Sequence, residues 1–294
     1  MNIAVVLNYN DYETTYKYIT KIKNYSSLDK IVIVDNCSSD NSYSLLKELK
    51  SEKVDVISTE RNNGYASGNN FGIKHIERYY SPKNIIISNP DIEVSEKSIM
   101  NICEFLNTHR NVAAASGLIH DVNNNIVKNF AWKLPSYRNV LINSFLLSSK
   151  IFEKVFNISI TYDIRTLSDK TKMYVEVLSG CFFVIKSNVL SEINYFDEST
   201  FLYCEENILA HKINEKNYKQ CILCDEKIIH YQGVTISKNI KSWRQKNKII
   251  ENSYKVYIEN YLKVTKFKKT LYISLFNLGK YEKFFLLKLR EMIK

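Results

Sequence analysis

Within its first 108 residues this 294-residue chain repeats one pattern four times: a short apolar run, a polar cluster, then a helix-like segment. Ile3–Asn8, Lys30–Asp35, Val54–Ser58 and Asn84–Ser88 read as strands, and Tyr12–Lys23, Asn41–Leu49, Tyr65–Tyr79 and Glu96–Thr108 as helices. Alternating strands and helices build βαβ units, so the spacing predicts an α/β fold with a mainly parallel central sheet and helices on both faces. Ligands of such sheets lie beyond the carboxyl ends of the strands. Asn8-Tyr9-Asn10, Asp35-Asn36, Glu60-Arg61 and Asn89-Pro90-Asp91 all fall there.

The second part is less regular. Val112–Leu118 reads as a strand, Asp121–Asn129 as a polar turn, and residues 131–172 as a mobile or acceptor-facing insertion. Tyr174–Lys186 reads as two strand pieces bent at Ser179-Gly180. Glu205–Asn214 is expected as a helix, Gln220–Cys224 as a strand, and Ile228–Ser237 as a loop around His230 and Gly233.

Charge divides the chain. From Lys238 onward there are 15 Lys/Arg against 4 Asp/Glu, whereas residues 1–237 hold 26 against 27 and are close to neutral. A catalytic domain over 1–237 (halves about 1–118 and 119–237) and a basic helical extension over 238–294 are therefore expected. Basic residues confined to one end, with no nucleic-acid motif, argue against a nucleic-acid partner. The six cysteines lack a disulfide-framework spacing, and the lone Cys221/Cys224 CxxC is weak evidence for zinc. No basic n-region precedes the first apolar run and no run of ~18–20 apolar residues occurs, so a cytoplasmic location is expected.

Four clusters carry candidate chemistry. Asp35 is placed to accept a hydrogen bond from a uracil or thymine imide, or simply to cap the next helix; both can hold. In ERNNGYASGNNFG, Gly64 and Gly68 permit close backbone approach, and Arg61 with the Asn residues (Asn63 and Asn70 among them) offers donors beside a helix N-terminus, which suits phosphate. Neither a Walker A nor a GxGxxG sequence is present. Asp91 follows a buried strand, where a carboxylate can share Mg2+ or Mn2+ with diphosphate oxygens or merely build an Asn-Pro-Asp turn. Glu205 and Glu206 begin a helix and diverge by about 100°, so one of them points into a pocket. His230 reads as a metal ligand or a structural histidine.

Taken in order, VVLNYND, VDNCSSD, ERNNGYASGNN, NPDI, SGCFFVIK, FDES-FLYCEEN and HYQG resemble the motifs of family-2 glycosyltransferases, nearest to bacterial rhamnosyltransferase-like members of surface polysaccharide synthesis. The resemblance covers about residues 1–237. It implies a Rossmann-like GT-A fold, a UDP- or dTDP-sugar donor, a divalent cation and inversion at the anomeric carbon. On this sequence it implies that Asp35 holds the base and that Arg61 and Asn63 hold the nucleotide side, with Asn8, Tyr9, Asn10, Asn36, Gly64 and Asn70 lining the donor site. Asp91 stands at the second acid of the metal-binding DxD, Asn89 replaces the first, and His230 matches a metal-binding position of some members. Glu205-Glu206 stands where Glu-Asp is usual, which makes Glu206 the expected base and Glu205 the second choice; a further acid common in the family is Ile208 here. The substitutions at Asn89 and Ile208 keep a second reading open, a catalytically inactive GT-A scaffold or binding subunit.

In the extension, Leu271, Leu275, Leu278, Phe284, Phe285, Leu287 and Leu289 are interspersed with Lys, as in helices that lie on a membrane. Anionic lipid would attract each nearby cation by about 1 kcal/mol. That fits a peripheral enzyme at the inner face of the cytoplasmic membrane acting on a lipid-linked saccharide. The alternatives are a helix packed on the catalytic domain and a homodimer contact.

Overall fold

The computed structural model describes residues 1–145, 159–167, 170–231 and 242–293. The first half runs β1 (Asn2–Asn8), α1 (Tyr12–Ile22), β2 (Lys30–Asp35), α2 (Ser42–Leu46), β3 (Val54–Ser58), α3 (Tyr65–Tyr79), β4 (Asn84–Ser88), β5 (Ile92–Val94), α4 (Glu96–Thr108) and β6 (Val112–His120). The second half continues with β7 (Ala131–Trp132), α5 (Tyr137–Ile142), β8 (Lys172–Val175), β9 (Val177–Leu178), β10 (Phe182–Lys186), α6 (Ser187–Glu192), α7 (Glu205–Glu215) and β11 (Lys219–His230). Helices α8 (Trp243–Val256) and α9 (Lys266–Ile293) close the described chain.

The central sheet has the order β3-β2-β1-β4-β10-β6-β11-β5, with β8 beside β11. Strands β1, β2 and β4 are buried on both faces, which is why their sequences are near-continuous apolar runs. Their mutual pairings, and those of β2 with β3 and β6 with β11, are parallel. The sheet as a whole is mixed, because β10 runs antiparallel to both β4 and β6. The bend at Ser179-Gly180 sends the chain back from the ligand end of the sheet, so residues 182–186 must return in the opposite sense.

One expectation is corrected. Ile228–His230 are not loop but the end of β11, paired with β6 and with Val94–Ile92 of β5. A register shift between Leu223 and Lys227 absorbs the polar run Cys224-Asp225-Glu226, so a single strand survives an interruption that ends it in the sequence pattern. Gly233 lies outside the described residues, as do 146–158 and 168–169 of the expected insertion and the side chains of Leu287 and Leu289.

A second core joins the C-terminal helices to the sheet-bearing part of the chain. Val140, Cys204, Ile208, Tyr257, Ile258, Tyr272 and Phe276 form it. The hydroxyl of Ser253 donates to the Leu202 carbonyl at 2.8 Å and that of Tyr257 to the Pro135 carbonyl at 2.8 Å. Ile208 is therefore an apolar residue on a helix face that meets these helices.

Helix α3 lies on β1 and β2 through Gly72, where an added Cβ would meet Val34 Cγ2 at 2.7 Å and Val5 Cγ1 at 2.9 Å. Gly72→Ala gains about 1 kcal/mol of helix propensity but overpacks this contact at a cost of about 1–3 kcal/mol. A net loss of stability is expected, read as a lower urea midpoint; an unchanged or raised midpoint would show that α3 can lift off the sheet freely.

Candidate active site

At the carboxyl ends of β1 and β2, Asp35 is 1% exposed and densely bonded. Its Oδ1 accepts from Asn8 Nδ2 at 2.8 Å and from the Ser38 hydroxyl at 2.7 Å, and its Oδ2 from the Ser38 N–H at 2.9 Å. These bonds close the turn at Ser38 and do not cap α2, whose N-cap Asn41 carries no side-chain cap bond, so the capping alternative for Asp35 is corrected. A carboxylate has about four lone-pair sites, so these three bonds leave capacity for one more. Asn8 is placed differently from expectation: buried, with Nδ2 on Asp35 and Oδ1 accepting from Thr15, it supports Asp35 from within the core. Asn10 adopts positive φ and binds Ser38 and Ser39 across the same turn, with Tyr9 half-buried beside it.

Asn36 ties this turn to the next cluster, donating to Asn62 Oδ1 at 2.9 Å and to the Gly64 carbonyl. Arg61 and Asn63 are exposed at the start of α3, and Arg61 has no acidic partner among the described residues. Gly64 has φ +98°, and a Cβ there would sit 2.0 Å from the Phe201 carbonyl oxygen. Asn70 is a second correction. Its amide nitrogen donates to the Phe196 carbonyl and Glu198, and its oxygen accepts from the Phe196 N–H, so it clamps the 196–198 segment instead of facing a donor.

Asp91 and His230 meet at the mouth of the sheet, Oδ1 to Nε2 3.4 Å, with both side chains largely buried. Burial alone would lower the imidazole, but its bonds to Asp91 and Cys181 carry it up to about 10. Asn89 is held by its backbone N–H on the Cys181 carbonyl at 2.8 Å, which leaves its side chain half-buried at the same mouth.

One residue away, Gly180 meets the start of α7. A Cβ on Gly180 would lie 2.7 Å from Glu206 Oε1, so any larger residue there would displace this carboxylate. Burial raises the affinity of Glu206 for a proton, while backbone N–H groups, that of Gly180 among them, partly offset this. Glu205 is 6% exposed, its Oε2 is buried without a hydrogen-bond partner, and burial with the neighbouring Glu206 charge holds its carboxyl well above the usual range. The two carboxylates diverge as expected: Glu205 turns inward, and Glu206 is the less buried one against Gly180.

Three residues of this site escaped sequence reasoning in part. Tyr65 donates its hydroxyl to the Gly180 carbonyl at 2.7 Å and its N–H to the Phe201 carbonyl at 2.9 Å. Gly180 was read only as a bend, and Cys181 only as a buried thiol. The signal lay in the motifs themselves, since Tyr65 follows Gly64 directly and Gly180-Cys181 sits in SGCFFVIK. A separate cavity of about 520 Å3 opens farther along α7, between Ala210, Asn214, Tyr174 and Glu176, and none of the expected site residues lines it.

Comparison with known proteins identifies the family. Residues 3–181 match Glycosyl transferase family 2. The low-salt glycan biosynthesis hexosyltransferase Agl10 of Haloferax volcanii is 24% identical over 257 residues, 87% of this chain and 71% of that protein. Among solved structures, the mannosyltransferase PcManGT from Pyrobaculum calidifontis, in complex with GDP-Man and Mn2+, aligns with a TM-score of 0.58 and 13% identity. That alignment covers 88% of this chain and 64% of PcManGT. GalNAc-T7 with UDP, GalNAc and Mn2+ aligns with a TM-score of 0.62 and 16% identity, over 87% of this chain and 47% of its own. The S. aureus TarS 1–349 structure with UDP-GlcNAc gives 0.54 and 15%, covering 94% and 71%. The chain thus spans under two thirds of the first two of these structures, and at such identities the likeness speaks to the GT-A fold. With residues 3–181 matched, more than half of its length, the protein belongs to glycosyl transferase family 2 and is a glycosyltransferase.

Proposed function

We propose that the chain transfers a sugar, with inversion, from a UDP- or dTDP-sugar to a hydroxyl of a saccharide acceptor, a lipid-linked one in surface polysaccharide synthesis. The observation that carries this reading is the Ser179–Cys181 bend, against which the Asp91–His230 pair and Glu206 both converge. In this reading Asp35 meets the imide of the base, and Arg61 and Asn63 meet the phosphates beside the α3 N-terminus.

The residues fit a divalent cation. Asp91 Oδ1 and His230 Nε2 lie 3.4 Å apart and point at one another, a carboxylate and an imidazole able to share one ion. Among the described residues no group of three or more His, Cys, Asp or Glu could hold a metal, so the remaining positions would fall to diphosphate oxygens and water. PcManGT and GalNAc-T7 were each solved with Mn2+, which supports Mn2+ or Mg2+ here. Bound there, the cation would neutralise the charge that develops on the departing diphosphate.

The chain's own residues do the rest. Glu206 accepts the acceptor proton as the hydroxyl oxygen attacks the anomeric carbon from the face opposite the diphosphate. Its buried setting raises its proton affinity towards the working pH, where a general base is most effective. Gly180 fixes the carboxylate, and Tyr65 fixes Gly180. A single displacement inverts the centre, with no covalent enzyme intermediate.

Thermal shift tests the donor: UDP or dTDP with Mn2+ is expected to raise the melting temperature more than GDP or ADP. Preferential stabilisation by a purine nucleotide would remove the pyrimidine assignment. Donor binding without turnover on any saccharide acceptor would favour a binding subunit.

Glu206→Gln keeps shape but cannot take the proton, so kcat should fall about 10²–10⁴-fold with little change in donor Kd. Glu205→Gln should cost less. Near-normal transfer by the first variant sinks the base assignment, and a large loss confined to the second reverses the roles.

His230 holds its proton up to about 10 before any ion binds, so binding must release that proton. Mn2+ affinity should therefore rise with pH, by roughly tenfold per unit between pH 7 and 9 for one proton released. His230→Gln should flatten that slope and Asp91→Ala should abolish binding. A pH-independent affinity measured by calorimetry would take His230 out of the ligand set.

A further inference from the structure

Helix α9 has two apolar faces, and only one of them is covered. Tyr272 and Phe276 are buried in the second core, and Gly279 brings the helix against the Ser144 carbonyl, where a Cβ would lie 1.9 Å from the oxygen. On the opposite side Phe267, Leu278, Tyr281 and Phe285 are 76%, 57%, 74% and 64% exposed. With Leu271 and Ser274 these positions advance by alternating steps of four and three residues, which keeps them in one stripe along the helix. At 1.5 Å per residue the 28-residue helix presents that stripe over about 42 Å.

The cations sort in the same way. Lys269 and Lys280 are neutralised by Glu259 at 2.6 Å and Glu251 at 2.8 Å. Lys266, Lys268 and Lys288 are exposed and have no acidic partner among the described residues. At about 100° per residue, Lys266 and Lys268 fall on either side of Phe267. Among the described side chains of α9 the one acid is Glu282.

We propose that α9 lies flat on a lipid bilayer with anionic headgroups, its aromatic stripe in the headgroup boundary and its flanking lysines on the lipid phosphates. The composition favours lipid over a second copy of the chain. A helix–helix seam wants aliphatic side chains at alternating positions and opposite charges beside them. Here Leu271 and Leu278 alternate with Phe267, Ser274 and Tyr281, while one flank reads Lys268, Leu275, Glu282 and the other Thr270, Asn277, Phe284. Two copies would also bring together two segments that each hold 15 basic and 4 acidic residues. Aromatic side chains with lysines at the edges are the pattern of an interfacial helix. No helix among the described residues is long and apolar enough to cross a membrane, so α9 would rest on the surface.

Flotation of the full chain with vesicles tests this, comparing phosphatidylcholine alone with an equal mixture of phosphatidylcholine and phosphatidylglycerol at low salt. The wild type should float with the mixed vesicles and far less with phosphatidylcholine. Tyr281→Glu combined with Phe285→Glu should weaken partitioning at least about tenfold. Lys266→Glu combined with Lys268→Glu should weaken it comparably on the mixed vesicles. Both variants change exposed side chains, and an unaltered melting temperature confirms that they fold. The proposal is overturned if the wild type stays with the soluble fraction, or if the Tyr281/Phe285 variant floats as well as wild type. It is equally overturned if the wild type elutes at twice its mass and that variant as a monomer, which would make the stripe a seam between copies.

Discussion

The contact between Gly64 and the Phe201 carbonyl is the point on which the site's geometry turns. At φ +98° and with a Cβ excluded at 2.0 Å, position 64 admits glycine alone, and the chain approaches there more closely than side chains allow. Tyr65 then bonds Phe201 through its N–H and Gly180 through its hydroxyl, so three segments far apart in sequence share one clamp. The loop leading into α7 pays for this fit: Tyr203 and Cys204 both take positive φ, a strain of order 1–3 kcal/mol for each non-glycine residue. Such strain persists only where the surroundings over-determine it. Here Cys204 is buried in the second core, and Leu202 accepts the Ser253 hydroxyl.

That makes the C-terminal helices part of the support of the candidate site as well as a charged segment. Their inner face is apolar and tyrosine-rich, meeting Cys204 and Ile208 at the first turn of α7, where Glu205 and Glu206 also stand. Ile208 explains itself in this light. An acid at that position would be desolvated within an apolar cluster, at a cost that isoleucine avoids.

Much of this was legible in the amino-acid order, and the exceptions are instructive. Lys30–Asp35, Val54–Ser58 and Asn84–Ser88 fall where the apolar runs place them, the first and last as buried parallel strands and Val54–Ser58 as an edge strand of alternating burial. Strand β11 tolerates a polar interruption, since its register shift lets Glu226 pack over Gly117, where a Cβ would lie 2.4 Å from the Glu226 carbonyl oxygen. No local pattern announces that contact. Asn8 and Asn70 show a different limit. An amide beside a strand end or in a glycine-rich segment looks the same whether it faces a ligand or the protein, and only the fold reveals that both face inward. The pairing of Asp91 with His230 spans 139 positions and rests on β5 returning against β11, which periodicity does not encode.

The bend at Ser179–Cys181 separates two proposed roles that would interfere if they touched. Cys181 faces His230 and holds Asn89, while Gly180 faces Glu206, so the proposed cation site and the proposed base lie against neighbouring residues of one rigid turn. A divalent ion is the largest local charge in such a site and holds nearby carboxylates ionised. A base that ligated it would lose the proton affinity its role requires. With Asp91 and His230 committed to each other and Glu206 set against the Gly180 backbone, the carboxylate keeps its raised proton affinity. The proposed base and the proposed cation site are thus held against adjacent backbone positions of one turn.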